Sequence, residues 1–175
     1  MLDAISRATP ADFGAAWQLY VDVCNQQAND PYTPKWTLGV YPTEDDIRGH
    51  IEAGELTLGW LDSTPVAAMV VVGHEDPEYA DVPWLTPAAP DEVAVVHLLA
   101  VHPRARGQHA GAALVQEAIR LARASGKTVI HLDVVPGNLA ASRIYEAEGF
   151  VHACTTQIFY EDTGLMDFDM YELVL

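Results

Sequence analysis

Positive charge is scarce in this chain: nine lysines and arginines stand against 25 aspartates and glutamates in 175 residues, a formal net charge of -16. Nucleic acid and anionic membrane surfaces would repel such a protein, so neither is an expected partner. Cysteine is scarcer still. Cys24 and Cys154 are the two present, they lack CxxC spacing, and they read as buried, reduced thiols of a cytoplasmic protein. No apolar run reaches the roughly 20 residues needed to span a bilayer, and Met1-Leu2-Asp3 opens no signal peptide. The seven histidines show no HExxH or comparable ligand spacing, so no metal is expected. The chain also lacks a GxxxxGK[ST] loop and a GxGxxG followed by a ribose-binding acid, which disfavours a nucleoside triphosphatase and a dinucleotide-binding fold.

What is present suits one domain over residues 1–175, with half the residues hydrophobic and a core that needs no staples. Residues 5–8 suit a short opening strand. Thr9-Pro10 reads as an N-cap with proline at the first helical position, and the helix beyond it places Phe13, Trp17, Tyr20 and Val21 along one side, ending near Asn25. Thr43-Glu44-Asp45-Asp46 marks a capped start for a second helix to about residue 53. Residues 55–61 and 66–73 read as antiparallel strands joined at Asp62-Ser63-Thr64-Pro65. Residues 74–91 break pattern with five acids, four prolines, Tyr79 and Trp84, which predicts a long loop.

Residues 93–101 are almost continuously apolar, as an inner strand requires, and Pro103 stops them. A helix over 110–125 buries Leu114, Ala118, Leu121 and Ala122, with Gly126 at its stop. A second apolar strand over 128–135 completes a right-handed βαβ unit with parallel strands. Asn138 opens a helix carrying Ile144 and Tyr145 before Gly149, and residues 150–159 and 167–174 form a closing antiparallel pair. The expected class is α/β: a mixed, mostly antiparallel sheet of six or seven strands around a central splayed parallel pair, with helices on both faces.

The richest stretch is Val101-His102-Pro103-Arg104-Ala105-Arg106-Gly107-Gln108-His109-Ala110-Gly111, where strand hands over to helix. Gly107 and Gly111 remove Cβ atoms where backbone and ligand approach, and the helix adds its positive end to the same point. Arg104 and Arg106 add charge-assisted donors for phosphate oxygens. That set of groups grips a phosphorylated ligand without a metal; an ordinary connection with two exposed arginines is the other reading.

Arg106 to Gly111 resembles motif A of the GCN5-related N-acetyltransferase superfamily: arginine or glutamine, two residues, glycine, one residue, then glycine or alanine. Arg106 matches its first position and Gly111 its last. His109 stands at the usual internal glycine, and its Cβ makes left-handed conformations costlier. Asn138-Leu139-Ala140-Ala141-Ser142-Arg143-Ile144-Tyr145-Glu146-Ala147-Glu148-Gly149-Phe150 resembles the second signature of the same family. The resemblance implies an acyl-CoA N-acyltransferase fold binding acetyl-CoA, with CoA as product and no metal. It assigns Arg104, Arg106, Gly107, Gln108, His109, Ala110 and Gly111 to the pyrophosphate. It assigns Leu99 and Val101, on a strand that bulges in the family, to the pantetheine arm, with the Leu99 N–H polarising the acetyl carbonyl. Asn138 bridges strand end and cofactor arm or simply caps its helix, Ser142 lies in the same cofactor-binding signature, and Tyr145 protonates the departing thiolate.

The implied reaction is direct acetyl transfer to a primary amine of a small molecule or peptide, without an acetyl-cysteine intermediate. His97 interrupts an apolar strand and is read either as a structural histidine or as the base for the incoming ammonium, with Glu92 as a weaker candidate for the latter. His131 is read as packed, without a chemical task. Tyr32, Trp36, Tyr41, Tyr79 and Trp84 read either as aromatic walls of the acceptor cleft or as core fillers, and Glu75, Asp76, Glu78 and Asp81 either suit a cationic acceptor or form a soluble rim. The rival reading is a CoA-binding module of the same fold without turnover, which His109 favours and Tyr145 opposes. A homodimer is in keeping with the family.

Overall fold

Apolar runs broken by turn residues produce seven strands and four α-helices among the described residues, 1–30 and 33–175, of the computed structural model. The strands are β1 (Ala4–Arg7), β2 (Leu56–Leu61), β3 (Thr64–Val72), β4 (Val93–Val101), β5 (Val129–Val134), β6 (Val151–Tyr160) and β7 (Gly164–Val174). The helices are α1 (Phe13–Gln26), α2 (Glu44–Glu52), α3 (Ala110–Ala124) and α4 (Leu139–Ala147). The sheet order is β1-β2-β3-β4-β5-β7-β6, with β4 and β5 parallel and the other reported pairs antiparallel. The mixed α/β sheet with a parallel pair is the expected class.

The chain divides into two compact units, residues 1–70 with 98–114 and residues 71–97 with 115–175. In the first, Pro10 opens a turn of 3-10 helix over Pro10–Asp12, and the α-helix begins only at Phe13. The buried residues of α1 are Ala16, Leu19, Tyr20 and Val23, whereas the sequence pattern puts Phe13, Trp17 and Val21 on one side with Tyr20. Phe13 instead lies under the Arg48 guanidinium, 3.5 Å from its ring centroid. α2 starts as the sequence predicts: Thr43 Oγ1 accepts from the Asp46 N–H at 3.1 Å, and Asp46 Oδ2 accepts from the Thr43 N–H at 2.7 Å. β2 and β3 meet through Asp62 and Ser63, whose φ angles of 49° and 58° match a tight hairpin turn.

In the second unit, β7 lies between β5 and β6, pairing Val129 with Val174 on one side and Glu172 with Val151 on the other. Its apolar cluster includes Tyr79, Val93, Val95, Val129, Ile158, Phe168 and Met170. Residues 74–91 are irregular apart from 3-10 turns at Pro77–Tyr79 and Pro90–Glu92, the second running into β4. Hydrogen bonds fasten this segment to the sheet. The buried Glu172 carboxylate accepts from the Leu85 N–H at 2.7 Å and the Thr86 hydroxyl at 2.6 Å. Lys127 Nζ donates to the Gly73 and Asp91 carbonyls. Among the described residues no helix is long and apolar enough to cross a membrane.

Candidate active site

In the first unit, β4 ends at Val101, and Pro103–Ala105 form one 3-10 turn in which His102 Nδ1 accepts from the Arg104 N–H at 3.1 Å. Gly107 and His109 follow with φ angles of 72° and 60°, both left-handed. Glycine adopts that region freely, whereas a residue with a Cβ loses about 1 kcal/mol there. His109 thus takes the conformation that a glycine would supply, and the turn keeps its backbone path at that cost. The N–H of Ala113 donates to the His109 carbonyl at 3.0 Å as α3 begins. Donors of the first helical turn, from Ala110 onward, have no carbonyl within the helix to reach. Arg104, Arg106, Gly107, Gln108 and His109 are all exposed around that helix end. Arg106 Nη2 already holds Asp30 Oδ2 at 2.6 Å. Gln108 Nε2 donates to the Arg104 carbonyl at 2.9 Å, stiffening the turn.

Upstream in β4, Leu98 has a φ of 53°, left-handed backbone inside a strand. Its carbonyl is held from α1 by Tyr20, whose fully buried phenol donates to it at 2.9 Å. A trans peptide points its C=O and the following N–H in opposite directions, so Tyr20 also fixes where the Leu99 N–H points. Burial raises the Tyr20 phenol far above its usual range, with the charge of Cys24 adding to it, so it is always a donor. Leu99 and Val101 are half-buried. Trp36 packs against Tyr20 with ring centroids 5.8 Å apart.

In the second unit, the β4–β5 ladder pairs Val93 with Val129, Ala94 with Ile130 and Val95 with His131. Side chains alternate along a strand, so His97 shares a face with Val95, and Asp133 shares one with His131. That face carries a polar network. His97 Nε2 lies 3.2 Å from Asp76 Oδ2. Burial works to raise the Asp76 carboxyl, but hydrogen bonds with His97 and Glu78 and the charge of His97 overcome it and hold the group down to about 2. Glu78 is pushed up by its hydrogen bond with Asp76 and by burial. Tyr79 and Tyr160 both donate to Asp133 Oδ2, at 2.9 and 2.8 Å. His131 is buried with Nδ1 2.8 Å from Glu75 Oε2, and its ring stacks on Trp84 at 3.6 Å and 9°.

Tyr145, on α4, is buried, with Phe150 edge-on at 5.4 Å. Burial raises its phenol well above the usual 10, and the charge of Asp133 adds to the shift. Asn138 caps α4, its side chain accepting from the Ala141 N–H at 3.3 Å, and the Ser142 hydroxyl donates to the Asn138 carbonyl at 3.4 Å. Glu92 is exposed at the entrance to β4 and spends its carboxylate on the Ala89 N–H at 2.8 Å. Of the proposed acceptor aromatics, Trp36 lies in the first unit, Tyr79 and Trp84 meet in the second at 5.7 Å, and Tyr32 falls outside the described residues. Tyr41 forms an isolated antiparallel bridge with Thr37.

Sequence reasoning missed Asp133, Tyr160 and Tyr20. Asp133 carried a signal, since it interrupts the apolar run 129–135 much as His97 interrupts β4. Tyr20 carried none, because its partner is a backbone carbonyl 78 residues away.

A model of the Acetyltransferase (GNAT) family matches residues 13–150. No curated protein matches the chain. Among solved structures, the GNAT-family acetyltransferase of Streptococcus agalactiae 2603 is 18% identical with a TM-score of 0.76, covering 100% of this chain and 98% of its own. The Salmonella typhimurium protein yncA, assigned as an acetyltransferase and solved with its cofactor acetyl-CoA, is 18% identical with a TM-score of 0.69, covering 98% and 93%. The ribosomal-protein-S18-alanine N-acetyltransferase of Escherichia coli is 19% identical with a TM-score of 0.67, covering 98% and 92%. These likenesses establish the fold, and the family match spans both the left-handed turn at the start of α3 and the helix bearing Tyr145; the chain belongs to the GNAT family of N-acetyltransferases.

Proposed function

We propose that this enzyme, read as one domain over residues 1–175, transfers the acetyl group of acetyl-CoA directly to a primary amine of a small molecule or peptide. The observation that carries the donor half is the exposed turn at the start of α3, with left-handed Gly107 and His109 and the unladdered N–H groups that follow. These groups fit a pyrophosphate: backbone donors, a helix N-terminus, and Arg104 and Arg106 beside them. Acetyl-CoA would supply an activated thioester, its CoA leaving as the thiolate and taking a proton from water to give the thiol. The turn neutralises negative charge at the diphosphate, and the backbone of Leu99 and Val101 lines the arm. The Leu99 N–H, aimed by Tyr20, serves as the oxyanion donor.

His97 takes the ammonium proton, and Asp76 faces the imidazolium so formed. Glu92, already engaged in its turn, is the weaker candidate. Tyr145 acts at sulfur as a permanent hydrogen-bond donor. Its raised phenol is less acidic than a thiol near 8.5, so complete transfer would run uphill, and its contribution is to stabilise charge as the C–S bond breaks. Asn138 and Ser142 hold the start of α4. Left-handed His109 keeps the backbone path of the turn, which both an enzyme and a non-catalytic CoA-binding module need; the phenol of Tyr145 is what supports turnover.

Incubation of the protein with acetyl-CoA and a panel of primary amines tests this reading. CoA release should require an acceptor, and Tyr145→Phe should lower kcat by about 100-fold, the scale of losing one donor to developing charge. Tight CoA binding with no turnover on any amine would support the binding module instead. The proposal includes a cytoplasmic homodimer, whose mass in solution light scattering measures.

A further inference from the structure

Asp133 sits mid-strand in β5, on the face it shares with the buried His131. Two phenols from different parts of the chain, Tyr79 and Tyr160, donate to the same oxygen, Oδ2. Both phenols are spent on one oxygen, so the carboxyl is held by one atom with its other oxygen left to meet a ligand. Among the described residues that second oxygen is given no protein donor, and Asp133 is partly open rather than sealed. An independent sign of a missing partner lies on the same face: His131 Nε2 is buried without a hydrogen-bond partner, on a ring that stacks on Trp84, which meets Tyr79 edge-on. Buried polar atoms in a folded protein are normally satisfied. A carboxylate among tyrosine, tryptophan and histidine rings, with Glu75 and Asp76 on the same network, is the chemistry that binds an organic cation.

We propose that Asp133 anchors a second ammonium group of the acceptor, so that the substrate class is a diamine or an amine carrying a further positive charge. The anchored group is not the one that attacks, because a carboxylate beside an ammonium keeps it protonated and so non-nucleophilic. Deprotonation belongs to His97, and the anchor selects acceptors by their second charge. This inference rests on the amine-acetyltransferase reading and adds the acceptor's class to it.

Direct binding separates the two. Calorimetric titration of 1,4-diaminobutane and of butylamine into the full-length protein should show the diamine binding at least about tenfold tighter, the scale of one charge-assisted contact. Asp133→Asn should erase that difference. Tyr160→Phe, which keeps the carboxylate and removes one phenol, should retain a smaller preference and serves as the folded control if the asparagine variant does not fold. Equal binding of the two amines, no binding of either, or a preference that survives in Asp133→Asn would overturn the inference. Turnover is read separately. Failure to acetylate any amine, with the diamine preference intact, would count against the enzymatic reading and leave the anchor standing.

Discussion

Replacing Tyr20 by phenylalanine removes the donor that holds the Leu98 carbonyl, and so tests how backbone strain in β4 is maintained. A buried carbonyl left without its partner costs about 1–3 kcal/mol, which a shift in the urea midpoint should show. The Leu99 N–H would also lose its fixed direction, so kcat should fall by about tenfold, less than when an oxyanion donor is deleted outright. Asp76 makes a different prediction. Its carboxyl is held near 2 when folded against about 3.9 when unfolded, so its contribution is present above about pH 4 and is lost as pH falls toward 2. Asp76→Asn should therefore flatten the acid limb of a thermal-melt series over that window. Glu78 has the opposite sign: its raised carboxyl contributes at low pH and loses that contribution as pH rises, so Glu78→Gln should raise the melting temperature at neutral pH. At this scale the sequence marked His97 and Tyr145 by type and position. It did not mark Tyr20, whose partner is distant in the chain, and for Asp133 it offered only the break in an apolar run.

Elements with local causes were legible. β4 spans the residues read from its apolar run, and α2 carries the capping box that its first residues announce. The phase of α1 was not, because Phe13, Trp17 and Tyr20 stand at helical spacing as well as the buried set Ala16, Leu19, Tyr20 and Val23 does. The segment 74–91 was read as a loop, but its anchors could not be, since Glu172, Asp133, His131 and Lys127 all lie beyond it in sequence. Glu172→Gln keeps the shape of that anchor and removes its charge. It should destabilise the protein by about 2 kcal/mol, because hydrogen bonds to charged groups are the stronger kind. Limited proteolysis within 74–91 should accelerate in the same variant, while cleavage elsewhere should change less.

The whole molecule carries a net charge of -16, which acts with opposite signs on the two proposed substrates. An anionic CoA thioester is repelled at long range, and a cationic amine is drawn in. Salt screens both effects over about 10 Å at 0.1 M. Raising sodium chloride from about 0.05 to about 0.5 M should lower KM for acetyl-CoA and raise KM for a diamine. Two substrates moving in the same direction would show that local contacts, not the field of the molecule, control binding.

The sequence alone determined what depends on neighbours along the chain: the apolar strands, the capped helices, the tight turn before α3 and the two signatures of the family. These follow from backbone geometry and side-chain pattern over a few residues. Tertiary structure decided the left-handed Leu98 under Tyr20, the insertion of β7 between β5 and β6, and the gathering of Tyr79, Asp133 and Tyr160. Each of those needs groups dozens of residues apart to desolvate together, and only folding the chain brings them within hydrogen-bond reach.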